Sequence, residues 1–109
     1  MQRILGRHAS SYQLLGAAEV LAFQAQGQLV WVITASHKFA SIGSLRTIET
    51  RLNGMPFLRV RRDAIVNVAH VKKINLAGRQ RMVLTLSNAH KVVVSKRMVH
   101  TVRQTLMRG

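Results

Sequence analysis

The densest group of chemically capable side chains is Arg59-Val60-Arg61-Arg62-Asp63, followed by the apolar run Ala64-Ile65-Val66-Asn67-Val68. A guanidinium is a planar fork of donors. It pairs bidentately with guanine O6 and N7, or it grips a phosphate. Two such groups at a strand end, held on a rigid apolar frame, are suited to entering a major groove. Taken alone, the cluster fits solvated residues flanking a strand as well.

The remaining residues offer no competing chemistry. The five histidines, His8, His37, His70, His90 and His100, have neither metal-ligand spacing nor a set of acidic partners, so no metal site is expected. The three acids, Glu19, Glu49 and Asp63, stand far apart, which argues against a catalytic carboxylate pair. A Ser/His/Asp triad would have to draw on Asp63 inside the basic cluster. There is no Gly-rich phosphate loop. The absence of cysteine excludes disulfides, thiolate metal sites and thiol catalysis. Neither an enzyme nor a cofactor is expected.

Charge points to a polyanion. Seventeen Lys and Arg against three acids give a formal net charge of +14 on 109 residues. Residues 1–56 carry +3, whereas residues 57–109 carry twelve basic groups and one acid, a net +11. Nucleic acid is the commonest partner of such a chain and an anionic membrane the second. No apolar stretch approaches the roughly 20 residues of a membrane helix. The N-terminus lacks the apolar centre of a signal peptide. A soluble cytoplasmic protein without a membrane partner is therefore expected. Aromatic residues make up only 5% of the chain, and Phe23 and Trp31 sit among apolar strand neighbours as core residues. That counts against a single-strand binder, which needs exposed stacking platforms. Met55, Met82, Met98 and Met107 read as packing residues.

The elements that must position the basic groups are mostly short strands. Candidates are Arg3–Arg7, Ser11–Leu15, Glu19–Ala25, Leu29–Thr34, Lys38–Ile42, Phe57–Val60, Ala64–Val68, Val71–Leu76, Met82–Leu86 and Lys91–Val94. Gln26-Gly27, Gly78 and Ser87-Asn88-Ala89 read as turns, the last closing a hairpin between the final two strands. Leu45, Ile48 and Leu52 repeat at helical spacing after Ser44, which suits an N-cap, and before Asn53-Gly54, which suits a stop. This predicts a short central helix over 44–53. Met98, Val99, Val102 and Leu106 predict a second helix within Ser95–Met107, with Ser95 as its N-cap. The fold class is mainly β (α+β), in a single domain over 1–109 with 48% hydrophobic residues to build its core. Strands do not alternate with helices as in a parallel α/β fold. Nor are there two adjacent long helices for an ordinary helix-turn-helix.

The stretch Phe57-Leu58-Arg59-Val60-Arg61-Arg62-Asp63-Ala64-Ile65-Val66-Asn67-Val68-Ala69-His70-Val71-Lys72-Lys73-Ile74 resembles the F-x-R-x-H-R-S-x-I/L-V-N-x-x-x-I-x-x-I signature of the LytTR DNA-binding domain family. Glu19–Gln28 is similar to the family's I-x-Y-I-E-A-x-x-N strand and turn. Ser44–Leu52 is similar to its S-L-x-x-L-E-x-x-L helix, and Val92–Arg97 to its L-x-V-S-R-R segment. The resemblance is clearest over residues 17–107.

The resemblance implies an elongated stack of small antiparallel β-sheets with a short central helix and a C-terminal helix. It also implies a bacterial transcription regulator, often the output half of a response regulator. Such domains read double-stranded DNA through strand-connecting loops in successive major grooves. They usually bind paired direct repeats, one domain per repeat, so a receiver or sensor domain in a longer protein and pairing of two copies on DNA are implied too. Carried over by position, Gln28, Arg61, Arg62 and Arg97 are the base-contact candidates. Lys38, Arg59, Lys72, Lys96 and His100 are the phosphate candidates. Asn67 and Asp63 order the loop. The sequence departs from the pattern with Arg61 for His, Asp63 for Ser, Gln24 for an acid and Ala89 for Gly. Asp63 would be repelled by a DNA backbone unless it pairs with Arg61 or Arg62 and orients them. The alternative class is an RNA-binding or ribosome-associated basic protein.

Overall fold

A computed structural model describes residues 3–41 and 43–108. Among the described residues ten strands run in chain order: β1 (Arg3–His8), β2 (Ser11–Gly16), β3 (Val20–Gln26), β4 (Leu29–Thr34), β5 (Lys38–Ser41), β6 (Phe57–Arg61), β7 (Ala64–Asn67), β8 (Val71–Leu76), β9 (Met82–Leu86) and β10 (Lys91–Val94). Helix α1 (Leu45–Arg51) follows β5, and α2 (Val99–Leu106) ends the chain. Strands pair in a seven-stranded sheet, β2-β1-β5-β4-β3-β7-β6, and a three-stranded sheet, β10-β9-β8. All pairings are antiparallel. The molecule measures 45 × 28 × 25 Å. The expected mainly β, elongated class with two helices is what the structure has.

Two cores lie on opposite faces of the large sheet. On one face Leu21, Ala22, Val60, Ala64 and Val66 pack against Met82, Leu84, Leu86, Val92 and Val94 of the small sheet and Val99 and Val102 of α2. On the other, Val20, Phe23, Val32, Phe39 and Ile65 pack against Leu45, Ile48 and Leu52 around α1. β7 is covered on both faces, so Ala64, Ile65 and Val66 are apolar in succession instead of alternating with polar residues. β1 lies close beside β5 in the sheet because Gly6 has no side chain. A Cβ there would stand 2.7 Å from Phe39 Cβ.

Several boundaries and roles differ from the expectations. Glu19 lies in a 3-10 turn, Ala17–Glu19, and not in the strand, because its carboxylate accepts the Gly16 N–H at 2.8 Å. Val68 likewise belongs to a 3-10 turn, Val68–His70. Ser44 caps α1 through its hydroxyl, which accepts from Thr47 N at 3.2 Å. Ser95 does not cap α2 with its side chain. A 3-10 turn, Lys96–Met98, comes first, and the Ser95 carbonyl instead accepts from Met98 N at 2.9 Å. Trp31 is only half-buried, since it faces away from Val30 and Val32 on β4, and Lys38 Nζ lies 4.7 Å from its ring centre. Met107 is exposed past the end of α2. Ile42, the last residue of the expected fifth strand, lies outside the described residues.

Candidate nucleic-acid interface

The β6–β7 turn is braced from several directions. Asp63 carbonyl accepts from Ala25 N at 2.8 Å and from Gln24 Nε2 at 3.1 Å, tying the turn to β3. An acid at position 24 has no donor to offer there, so the amide suits this chain's contact. Arg61 Nε donates to Asp63 Oδ1 at 2.8 Å, and Arg61 Nη1 donates to the Val93 carbonyl at 3.2 Å. Asp63 thus pairs with Arg61 within the turn. Arg62 is exposed between them, with the freer guanidinium fork.

Arg59, expected at a phosphate, is engaged inside the protein. Its Nη1 donates to Glu49 Oε1 at 2.9 Å, its Nε to the Arg61 carbonyl at 3.0 Å, and its Nη2 to the Arg62 carbonyl. The guanidinium therefore ties α1 to the backbone of the turn. Asn67, at the far end of β7, is buried. Its Nδ2 donates to the carbonyls of Val20 at 2.8 Å and Ala17 at 3.4 Å, and its Oδ1 accepts from Ala69 N at 3.0 Å. This is the satisfaction that a buried amide requires.

Gln28 lies in the β3–β4 turn, where Gly27 has φ +62°. That turn stands at the same end of the sheet as the β6–β7 turn, because Gln24 of β3 pairs with Ala64 of β7. Gln28, Arg46, Arg59 and Arg62 line one surface concavity. Lys96 and Arg97 follow β10, and the bond from Ser95 N to Val60 O, 3.0 Å, fixes their segment beside β6. Both are exposed, as is His100 in the first turn of α2. The Gln28 turn, the Arg61–Arg62 turn and the Lys96–Arg97 segment are therefore neighbours.

Lys38 and Lys72 are not brought to this group. Lys38 pairs with Ile33 near the end of β4 remote from Gln28, roughly 13 Å along the strand. Lys72 is the extra residue of a bulge on β8, the strand of the small sheet farthest from β6. Sequence reasoning missed Glu49 and Arg46. Their signal was helical spacing on the polar face of α1, but nothing in the sequence says which turn that face meets. All three acids of the chain have partners: Glu19 on Gly16 N, Glu49 on Arg59 and Asp63 on Arg61. The cluster's remaining cations thus face no acid among the described residues.

Comparison with known proteins gives one consistent match. The family model of the LytTr DNA-binding domain matches residues 10–107. The chain is 24% identical over 83 residues to the transcriptional regulatory protein LytR of Staphylococcus aureus, in strains N315 and USA300 among others. That match covers 76% of this chain and 34% of the relative, so the chain spans about a third of the length of the curated relatives it matches. Its structure is similar to a LytTr DNA-binding domain from Bacillus cereus, with a TM-score of 0.90 and 23% identity over 97% of each chain.

Proposed function

This chain belongs to the LytTR DNA-binding domain family, and on that premise we propose that it binds double-stranded DNA in a sequence-specific way to regulate transcription. The observation that carries the reading is the convergence of three exposed segments, around Gln28, Arg61–Arg62 and Lys96–Arg97, on neighbouring strand ends. Strand-connecting loops enter the major groove. Gln28, Arg62 and Arg97 meet base edges, and Arg61 contributes the nitrogen not bonded to Asp63 or Val93. Lys96 and His100 meet phosphates, which supply sequence-independent affinity. Arg59, Asp63 and Asn67 hold the loops in place. Lys38 and Lys72 stand outside this interface.

The target is a pair of direct repeats, one domain to each. Signal input comes from a receiver or sensor domain of a longer protein, and two copies pair on the DNA. Low aromatic content disfavours the RNA alternative. Selection of bound duplexes from a random pool tests the reading, with structured RNA as competitor. The expected result is a recovered motif repeated at fixed spacing. Equal enrichment of all sequences, or displacement by RNA at equal concentration, would overturn it.

A further inference from the structure

Beyond Asp63 the sequence has no acid, while residues 64–109 carry nine Lys and Arg. Two of these cations, Arg79 and Arg81, sit in the turn between β8 and β9, which the loops named so far do not include. The strand register fixes where that turn lies. Met82 pairs with Leu76 on one side and with Val94 on the other. The chain enters β9 just before Met82 and leaves β10 just after Val94. Because β9 and β10 are antiparallel, residues 77–81 and residues 95–97 emerge at the same end of the small sheet. Adjacent strands stand about 4.8 Å apart, so the two segments are side by side.

The turn is built to project. Ala77 N donates to the Arg81 carbonyl at 3.0 Å, closing it, and Gly78 takes φ +74°, which favours glycine. Every residue from Asn75 to Arg81 is exposed. Neither Arg79 nor Arg81 has an ion pair among the described residues. The neighbouring cations are Lys96 and Arg97. Four like charges held at one end, none of them ion-paired among the described residues, repel one another, and a polyanion lying across them relieves that repulsion.

We infer that the β8–β9 turn is a further DNA-contacting loop, whose Arg79 and Arg81 grip phosphates of the duplex beside the groove entered by Arg97. This rests on the proposed function and extends its footprint by one loop. The contacts are to the backbone, because among the described residues no side-chain hydrogen bond fixes the Arg79 or Arg81 guanidinium, unlike that of Arg61. A phosphate contact tolerates such freedom and a base contact does not.

The test uses the full chain on the selected duplex and on a random duplex of equal length. Binding is measured as a function of salt for the wild type, Arg79→Ala/Arg81→Ala, Arg79→Lys/Arg81→Lys and Lys38→Ala. The double alanine variant is expected to weaken both duplexes by a similar factor and to lower the salt slope by about two. The double lysine variant and Lys38→Ala are expected to keep the wild-type slope. An unchanged slope in the double alanine variant, with wild-type binding intact, would overturn the inference alone. A changed base preference would overturn the assignment to phosphates. Failure of the wild type to bind any duplex would overturn the proposed function, and this inference with it.

Discussion

Arg61 of β6 and Val93 of β10 are joined across the seam between the two sheets by a hydrogen bond from Nη1 to the carbonyl, 3.2 Å long. The same guanidinium holds Asp63 through Nε. One side chain therefore fixes the β6–β7 turn to the strand that leads into Lys96 and Arg97.

Removing the acid of this arrangement separates orientation from charge. Asp63→Ala is expected to raise affinity for random duplex, since a negative group near the DNA is lost, and to lower the ratio of specific to random binding, since Arg61 Nε loses its acceptor. Because the partners' side chains are 40% and 45% exposed, stability should change by under about 1 kcal/mol. Parallel binding curves and thermal unfolding check both parts. An unchanged ratio would show that Arg61 needs no orientation.

Arg59→Lys distinguishes a bracing arginine from a phosphate contact. Lysine keeps the charge but cannot reach Glu49 and two carbonyls in one plane. Specific binding is expected to fall while the salt slope stays the same. A variant that binds the selected duplex like the wild type would contradict the bracing role.

Arg97→Ala is expected to weaken specific binding by ~1–3 kcal/mol and to relax one base position. The readout is a repeat of the duplex selection with the variant. Equal losses on specific and random duplexes would remove Arg97 from the base contacts.

Asn67→Ala leaves the Val20 carbonyl and the Ala69 N–H without their side-chain partner in a buried site. The expected loss of stability is about 1–3 kcal/mol, read by denaturant unfolding. A change within error of zero would mean that water replaces the amide without cost.

Ala89 adopts φ +69° in the β9–β10 turn. The left-handed region costs a side chain roughly 1–2 kcal/mol, and glycine loses about 0.4–1 kcal/mol through its freer unfolded chain. Ala89→Gly is therefore expected to stabilise the protein slightly, and a lowered melting temperature would refute this.

The sequence alone determined the strands with the clearest composition. Leu29–Thr34, Val71–Leu76, Met82–Leu86 and Lys91–Val94 are found as expected, because β-branched runs between turn residues encode local extension. Ser44, Leu45, Ile48 and Leu52 likewise specified α1 by spacing. The basic cluster and the family motif were visible as residues. Only the tertiary structure decided which cations are free. Arg59 and Arg62 look alike in the sequence, yet one bonds to Glu49 ten residues away and the other is exposed. It also decided which turns are neighbours, bringing Val93 to Arg61 across 32 residues and the Gly78–Arg81 turn beside Arg97. Strand register across the sheets sets those proximities, and periodicity along one strand carries no information about its partner.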